Sequence, residues 1–238
     1  MDSTVRPGWL LDEVASAGRE NLDPAHVARY DTIEDAGAAT EVRLLTGLGL
    51  GPDSVVVDIG AGTGQFTLAA AAACARVVAV DVSPVMLGAL RAKLDAAGAG
   101  NVEVVQAGFL TYEHAGPPAD VVYSRYALHH LPDLWKGVAL HRTRGVLQRG
   151  GLLRLSDVVY GFEPAEAEER IEAWCTSLPS TPAGPGGWSR ADLEEHVRDE
   201  HSTYTWLLEP MLERAGFAIE HATYTPDQIF ATYIARAM

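Results

Sequence analysis

The chain has 238 residues, of which 47% are apolar, and its formal net charge is −14. This length suffices for one large α/β domain with an elaboration, and the apolar content excludes a largely disordered chain. The negative charge disfavours an electrostatic grip on DNA, RNA or anionic lipid, and it suits a neutral or cationic small molecule. Because acidity also keeps many proteins soluble, the charge by itself selects no single partner.

Cysteine usage and hydropathy bear on the cellular compartment. Cys74 and Cys175 belong to no Cys-x-x-Cys pair and no Cys/His cluster with zinc spacing, which favours buried thiols in a reducing compartment. The first residues lack a basic segment followed by an apolar run. The longest apolar run, Ala69–Val80, is interrupted by Arg76 and is too short to span a bilayer. We therefore expect a cytoplasmic protein with no membrane partner.

Strand-like and helix-like segments alternate from about residue 40 to residue 160, a pattern typical of a parallel sheet covered by helices. The sequence predicts strands over Ser54–Ile59, Arg76–Val80, Val102–Val105, Asp120–Tyr123 and Leu152–Val159. It predicts helices over Gly64–Ala75, Ser83–Ala97 and Leu131–Leu147. Near the end, two antiparallel strands are predicted over Ala218–Tyr224 and Ile229–Ala235.

Two regions stand outside this alternation. Residues 1–40 are predicted to form a helical cap before a main domain at 41–238. Residues 161–210 contain an acidic helical stretch, a Pro/Gly-rich loop over 178–188 and a second acidic helix from Ser189. We interpret 161–210 as a lid inserted over the carboxyl edge of the sheet, where open α/β sheets bind ligands. A surface linker without a function is the alternative interpretation.

A glycine-rich turn follows the first predicted strand and opens a helix, in the segment Asp58-Ile-Gly60-Ala-Gly62-Thr-Gly64. Glycines let the backbone turn sharply and let a ligand approach it closely. The acid before the turn is more informative, because a carboxylate suits the amino group of a ligand. Dinucleotide-binding turns instead offer a helix N-terminus to a pyrophosphate.

Asp81 ends the second predicted strand, 17 residues after Gly64. A carboxylate at this place can accept hydrogen bonds from two ribose hydroxyls. Nicotinamide dinucleotides use an acid in the same way, so Asp81 alone does not separate the two kinds of cofactor. Capping of nearby backbone amides is the structural alternative for both Asp58 and Asp81.

Together these motifs resemble those of class I S-adenosylmethionine-dependent methyltransferases, close to the quinone-methyltransferase-like group. The resemblance covers roughly Tyr30 to Leu155 and the terminal hairpin. It implies a Rossmann-like, seven-stranded, mostly parallel α/β sheet with an antiparallel last strand and helices on both faces. It also implies that S-adenosylmethionine is the cofactor. The residues that it assigns to the cofactor are Tyr30, Asp58, Gly60, Ala61, Gly62, Gln65, Asp81, Val82, Met86, Gly108, Phe109 and Ser124.

The third motif departs from the family pattern. Members often carry an aspartate after the third strand, which reaches the adenine amino group. Here Gly108 stands at that place, followed by Phe109. Backbone contacts and stacking on Phe109 are the means by which we expect the adenine to be held.

The candidates for the acceptor site follow the fourth and fifth strands. The resemblance places Arg125 and Tyr126 beside the transferred methyl group or its acceptor, and Tyr160 and Tyr204 are further candidates for acceptor contacts. The candidates for a general base are His129, His201 and Asp157. A structural role for the pair His129-His130, and helix capping by Ser202 or Thr203, are the alternatives.

The sequence thus predicts methyl transfer to an oxygen, nitrogen or carbon nucleophile of a small molecule, with no nucleic acid partner and no metal. A homodimer is kept open as the state of assembly. An NAD-dependent oxidoreductase is a rival hypothesis, but no Tyr-x-x-x-Lys pair is present, since the lysines are Lys93 and Lys136. A non-catalytic module that only binds S-adenosylmethionine is the second rival.

Overall fold

The computed structural model describes residues 7–18, 20–33, 37–179 and 188–238. Its α-helices are α1 Pro24–Val27, α2 Tyr30–Ile33, α3 Ala38–Gly47, α4 Gln65–Ala71, α5 Pro84–Ala97, α6 Asp133–Val146, α7 Ala167–Thr176, α8 Arg190–Asp199 and α9 Thr205–Arg214. Its strands are β1 Val55–Ile59, β2 Arg76–Asp81, β3 Val102–Gln106, β4 Ala119–Arg125, β5 Leu147–Tyr160, β6 Thr203–Tyr204, β7 Phe217–Tyr224 and β8 Phe230–Ala237. Short 3-10 turns cover Glu20–Leu22, Leu128–His130 and Pro164–Glu166.

The strands form one mixed sheet in the order β3-β2-β1-β4-β5-β8-β7. Strands β1 to β5 are parallel, and β8 lies antiparallel between β5 and β7. The predicted Rossmann-like sheet with an antiparallel last strand is confirmed. The eighth strand, β6, was not predicted, because it is only two residues that pair with the end of β5.

Alternate residues of the central strands face opposite sides of the sheet, and both sides are covered by helices. Val57 belongs to a buried cluster with residues of α6 and α9. Its neighbour Val56 belongs to a second cluster with residues of α3 and α4. A parallel sheet buried on both faces needs continuous apolar strands, which is why the strands are rich in valine. The ends of the strands remain available to form a ligand-binding site.

Helix α5 begins and ends at the start and stop signals that its sequence contains. Ser83 Oγ accepts a hydrogen bond from Met86 N at 3.1 Å, Pro84 is the first helical residue, and Gly98 ends the helix with φ of 63°. These are the preferred start and stop signals of a helix. The Ser83 hydroxyl also donates to the Asn21 carbonyl at 2.6 Å, which holds the N-terminal segment against the edge of the sheet.

The predicted domain boundary and the predicted insertion can be compared with the helices of the structure. The boundary at residue 40 falls inside α3, which Glu41 fixes to β5 through two hydrogen bonds from Arg154, at 2.7 and 2.9 Å. The predicted insertion contains α7 and α8, and residues 180–187 of its loop lie outside the described residues. Its last part belongs to α9, whose Leu208 is buried in the main core. No helix of the described residues is long and apolar enough to cross a membrane.

Candidate active site

Two adjoining cavities open at the carboxyl edge of the parallel strands. The smaller has a volume of about 80 Å³, and residues of the glycine turn, the end of β2 and the N-terminal segment line it. The larger has a volume of about 1190 Å³ and lies between the N-terminal segment and the helices α7 and α8. The residues that line both cavities, and so mark their junction, are Asn21, Tyr30, Arg125, Tyr126 and His130.

The glycine turn needs its glycines for two physical reasons. Gly60 and Gly64 have φ of 79° and 86°, in the left-handed region that side chains disfavour. A Cβ on Gly60 would also overlap Ala127, and one on Gly64 would overlap Leu90. The Gly60 and Ala61 amides both donate to the Val80 carbonyl, at 2.8 and 3.0 Å, so the turn packs tightly against the end of β2.

Asp81 lies where the sequence placed it, at the wall of the smaller cavity. Its two carboxylate oxygens each accept one backbone amide, from Gly62 and from Ser83, both at 2.8 Å. Burial raises the pKa of this carboxyl, against the lowering effect of the amide hydrogen bonds. A carboxylate has about four acceptor positions, so two amides leave acceptor capacity for a ligand. Capping of the backbone and binding of a ligand are therefore compatible roles for Asp81.

Asp58 points away from both cavities. Its carboxyl is 2% exposed and accepts a hydrogen bond from Thr67 Oγ1 at 2.6 Å, on helix α4. Burial raises the pKa of Asp58 to about 7, against the opposing effect of the Thr67 hydrogen bonds. The expectation that this carboxylate faces an amino group of the ligand stays a prediction, since in this structure the carboxyl contacts Thr67. The structure gives Asp58 a positioning role, because it ties the end of β1 to the helix that the glycine turn opens.

Glu13 occupies the space beside Gly108, where the family pattern has an aspartate. A Cβ added to Gly108 would lie 2.7 Å from Glu13 Oε2 and closer still to the rest of the carboxylate. Glu13 is 7% exposed, and it accepts hydrogen bonds from Leu110 N and Thr111 Oγ1, both at 3.0 Å. Both Glu13 and Gly108 line the smaller cavity. A carboxylate is thus present at this wall, but it comes from the N-terminal segment.

The other residues assigned to the cofactor divide into two groups. Those that line the smaller cavity are Tyr30, Gly60, Gly62, Val82, Met86, Gly108 and Phe109. Ala61, Gln65 and Ser124 line neither cavity. Gln65 instead donates to Asp31 Oδ1 at 3.2 Å, which joins the glycine turn to α2. Ser124 is fully buried within β4, and Ala61 packs against the cluster of apolar residues around α5.

Arg125 and Tyr126 lie together at the junction of the cavities. Tyr126 has φ of 52°, an uncommon value for a residue with a side chain, and its amide donates to the Ser156 carbonyl at 2.9 Å. The Arg125 guanidinium lies 4.2 Å from the centre of the Tyr126 ring, within the range of a cation–π interaction. Both residues line the two cavities, and their predicted contact with the methyl group or its acceptor stays a prediction.

His129 is buried between two carboxylates. Its Nδ1 contacts Asp157 Oδ1, and its Nε2 lies 3.1 Å from Glu200 Oε2. Burial lowers the pKa of His129, but the two carboxylates outweigh burial and raise it to about 10. For the neighbouring His130, burial and the charge of His129 lower the pKa to about 3. A histidine held in its charged form has no free lone pair, so the geometry does not favour His129 as the general base.

The other two candidates for the general base, Asp157 and His201, differ in whether they line a cavity. Asp157 is 1% exposed and lines neither cavity, because it accepts the amides of Leu128, His129 and Val158 at 2.8, 3.1 and 2.8 Å. It therefore orients His129 in this structure, and its predicted role as a general base stays a prediction. His201 lines the larger cavity, and its amide donates to the His129 carbonyl at 2.9 Å.

Tyr160 and Tyr204 were expected to contact the acceptor, but they line neither cavity. They pack against each other and against Phe162, with ring centres 5.9 Å apart in the pair Tyr160–Tyr204. Burial raises the pKa of the Tyr160 hydroxyl to about 12. These tyrosines support the wall of the larger cavity, and Trp174 and Phe230 form part of its surface.

Sequence reasoning missed several lining residues, among them Glu13, Asn21, His196 and Glu200. It also predicted no metal site, whereas His129, His130 and Glu200 each bring a ligand atom within 4.8 Å of the others. Glu200 belongs to the polar segment that starts at the end of α8, and this segment was the available signal.

Comparison with known proteins places this arrangement in a family. Residues 56–151 match the family described as methyltransferase domain. An uncharacterized methyltransferase of Anoxybacillus flavithermus is 30% identical over 181 residues, which is 74% of each chain. Among solved structures, magnesium protoporphyrin IX methyltransferase (ChlM) of Synechocystis PCC 6803 with bound SAM has a TM-score of 0.65 at 16% identity, and the match covers 98% of this chain and 100% of ChlM. The [4+2]-cyclase SpnF has a TM-score of 0.69 at 14% identity, over 95% of this chain and 97% of SpnF.

The curated relative shares a long stretch of the sequence, and the solved structures share the fold. The resemblance that the sequence suggested is confirmed. The chain belongs to the methyltransferase family and has the fold of its class I, S-adenosylmethionine-dependent members.

Proposed function

We propose that S-adenosylmethionine binds in the smaller cavity and that its methyl group is transferred across the junction to a small-molecule acceptor in the larger cavity. The observation that carries this proposal is the shared lining. Tyr30, Arg125 and Tyr126 border both cavities, so a ligand in one cavity meets a ligand in the other at these residues. A transfer reaction needs its two reactants in contact and in line.

The walls of the smaller cavity suit the parts of S-adenosylmethionine. Asp81 is placed to accept hydrogen bonds from the ribose hydroxyls, and Val82, Met86 and Phe109 offer apolar surface to the adenine. Glu13 takes the role that the missing aspartate has in relatives, and accepts a hydrogen bond from the adenine amino group. The cofactor supplies the reactive methyl group, and the protein supplies alignment and exclusion of water.

The N-terminal segment must move for the cofactor to enter. The smaller cavity measures about 80 Å³, whereas pockets for ligands of this size usually measure ~300–1,000 Å³. Residues Glu13, Ala17 and Asn21 cover it from the N-terminal side. We infer that the segment opens to admit the cofactor and then closes over it, which also excludes water from the junction.

The lining of the larger cavity indicates the class of acceptor. Its described carboxylates outnumber its arginines, and Trp174, Trp188 and Phe230 offer flat apolar surface. The carboxylates are Asp23, Asp192, Glu195, Asp199 and Glu200, and the arginines are Arg29 and Arg125. A neutral or cationic acceptor with an apolar or aromatic body fits this lining, and a polyanion does not.

Calorimetric titration with S-adenosylhomocysteine tests the cofactor assignment. Asp81→Ala removes a charged acceptor, and each lost hydrogen bond to a charged group costs about 1.5–3 kcal/mol, or roughly 10- to 150-fold in affinity. Asp53→Ala, at an exposed carboxylate, serves as the matched control and should bind like the unmodified protein. Unchanged affinity in Asp81→Ala, or tight binding of NADH, would overturn the assignment. A radiolabelled methyl-transfer screen over neutral and cationic acceptors then tests the acceptor class.

A further inference from the structure

Three histidines and one carboxylate lie together in the lining of the larger cavity, and the buried Asp157 contacts one of the histidines. His129 and His130 come from the 3-10 turn after β4, while His196 and Glu200 come from the end of α8. Glu200 lies 3.1 Å from His129 Nε2 and 4.0 Å from His130 Nδ1, and its Oε2 also contacts His196 Nδ1. Asp157 lies behind His129 on the side away from the cavity. Elements that are far apart in the chain thus bring ligand atoms of His129, His130 and Glu200 within 4.8 Å of one another.

These spacings match the ligand shell of a small metal ion. Zinc–nitrogen and zinc–oxygen bonds of ~2.0–2.2 Å in a tetrahedron hold neighbouring ligand atoms about 3.3 Å apart. Glu200 Oε2 lies 3.1 Å from His129 Nε2, and the other oxygen, Oε1, lies 4.0 Å from His130 Nδ1, so the two separations lie on either side of that value. Small adjustments of the side chains would bring His129, His130 and Glu200 onto one ion, provided that the ion displaces the proton of His129 Nε2.

One buried atom in the cluster lacks the hydrogen bond that buried polar atoms nearly always make. His130 Nδ1 has no hydrogen-bond partner, and Glu200 Oε1 lies 4.0 Å from it. Glu200 Oε2 is already paired with two rings, because it lies 3.1 Å from His129 Nε2 and contacts His196 Nδ1. A bound cation would give His130 Nδ1 a partner.

The surroundings also fit a metal centre. Ligating histidines usually bond through their other ring nitrogen to a carboxylate, a carbonyl or a hydroxyl, which fixes the ring. His129 Nδ1 contacts Asp157 in this way. Two imidazoles and one carboxylate, with a third imidazole adjacent, form a donor set that suits zinc or a similar transition metal and not magnesium or calcium.

We propose that His129, His130 and Glu200 bind a divalent transition-metal ion, and that this ion holds an oxygen or nitrogen atom of the methyl acceptor. Three protein ligands leave a fourth position open, as in catalytic zinc sites. His130 lines both cavities, so that position faces the junction. The part of this inference that concerns the acceptor rests on the proposed function, whereas the metal site itself does not.

The chemistry of such an ion suits a hydroxyl acceptor. A coordinated hydroxyl loses its proton more readily, and the proton leaves to the water of the larger cavity. The oxygen lone pair then forms the new C–O bond as the S–CH₃ bond breaks, and that bond's electron pair stays on sulfur. The reaction consumes no oxidant or reductant.

Titration with Co²⁺ tests the site without any measurement of activity. Protein without a histidine tag is treated with a chelator, and Co²⁺ is added while its visible absorption is recorded. We expect one equivalent to bind with the absorption of four- or five-coordinate cobalt. Loss of a supporting residue of a metal site typically weakens binding ~10- to 100-fold, so loss of a ligand in Glu200→Gln or His130→Gln should weaken it by about 100-fold or more.

The controls separate a lost site from a lost fold. His141→Gln changes an exposed histidine of α6 and should bind Co²⁺ like the unmodified protein. Glu200→Gln and His141→Gln change residues that do not line the smaller cavity, so both should keep the affinity for S-adenosylhomocysteine, which shows that the fold and the smaller cavity are intact. No stoichiometric Co²⁺ binding by the unmodified protein, or unchanged binding by both ligand variants, would overturn the metal site. Either result would leave the cofactor assignment standing, whereas absent S-adenosylhomocysteine binding would overturn that assignment alone.

Discussion

Moving the carboxylate from position 13 to position 108 tests how the protein recognises the adenine. In Glu13→Ala the carboxylate is lost, and the adenine amino group loses a hydrogen bond to a charged acceptor. Such a bond is worth about 1.5–3 kcal/mol, so the affinity for S-adenosylhomocysteine should fall roughly 10- to 150-fold. The Leu110 amide, which donates to Glu13 at 3.0 Å, also loses its side-chain partner, and this adds a cost in stability.

The double variant Glu13→Ala with Gly108→Asp should restore much of the affinity. Gly108 has no positive φ, so an aspartate is compatible with its backbone. The three atoms nearest to such a Cβ all belong to the Glu13 carboxylate, which the double variant removes. For the same reason Gly108→Asp alone should be destabilising, because two carboxylates would compete for one space.

Calorimetry with two ligands distinguishes recognition of the adenine from a structural role of Glu13. S-Inosylhomocysteine carries a carbonyl oxygen where the adenine has its amino group, so this position cannot donate a hydrogen bond to a carboxylate. The unmodified protein should therefore prefer S-adenosylhomocysteine strongly, and Glu13→Ala should lose most of that preference. An equal preference in the two proteins would refute the role given to Glu13, whatever happens to stability.

Two further predictions concern Asp58 and the N-terminal segment. Asp58 has a folded pKa of about 7 against an ordinary value of 3.8, so the unfolded chain ionises first and stability falls as pH rises between these values. Asp58→Asn should therefore raise the free energy of unfolding at pH 8 more than at pH 5, as measured by urea denaturation, and equal effects would contradict the buried carboxyl. S-Adenosylhomocysteine should slow amide hydrogen exchange in residues 7–18 and 20–33 but not in the β7–β8 hairpin, and unchanged exchange would contradict closure of the segment.

Local signals in the sequence predicted most of the sheet and its helices. The Ser83-Pro84 start and the Gly98 stop of α5 are set by neighbouring residues, and the structure has both. The alternation of strands was readable because buried parallel strands are apolar throughout. The predicted positions of Asp81 and the glycine turn followed from the same local pattern.

The orientation of side chains at the strand ends was predicted less well. Successive residues of a strand point to opposite faces, so Val57 and Ile59 share one face and Asp58 takes the other, beneath α4. This alternation was available in the sequence, and it argues against a carboxylate that faces the ligand. Asp157 likewise lies under His129 because of the face that it occupies on β5.

Contacts between distant segments could not be predicted from local patterns. Glu13 and Leu110 are 97 residues apart, and no periodicity or spacing links them. Glu200 reaches His129 only because α8 folds back over the end of β4. A glycine at position 108 was the one visible sign that a carboxylate was missing there, and it did not indicate which segment supplies another.

A structure of the protein with S-adenosylhomocysteine bound tests the central claim most directly. We predict that the ribose hydroxyls bind Asp81, that the adenine amino group lies against Glu13, and that the sulfur lies at the junction beside Tyr126. The position where the methyl group would stand then faces the larger cavity. A ligand bound elsewhere, or bound with its sulfur turned away from the larger cavity, would contradict the proposed transfer between the two cavities.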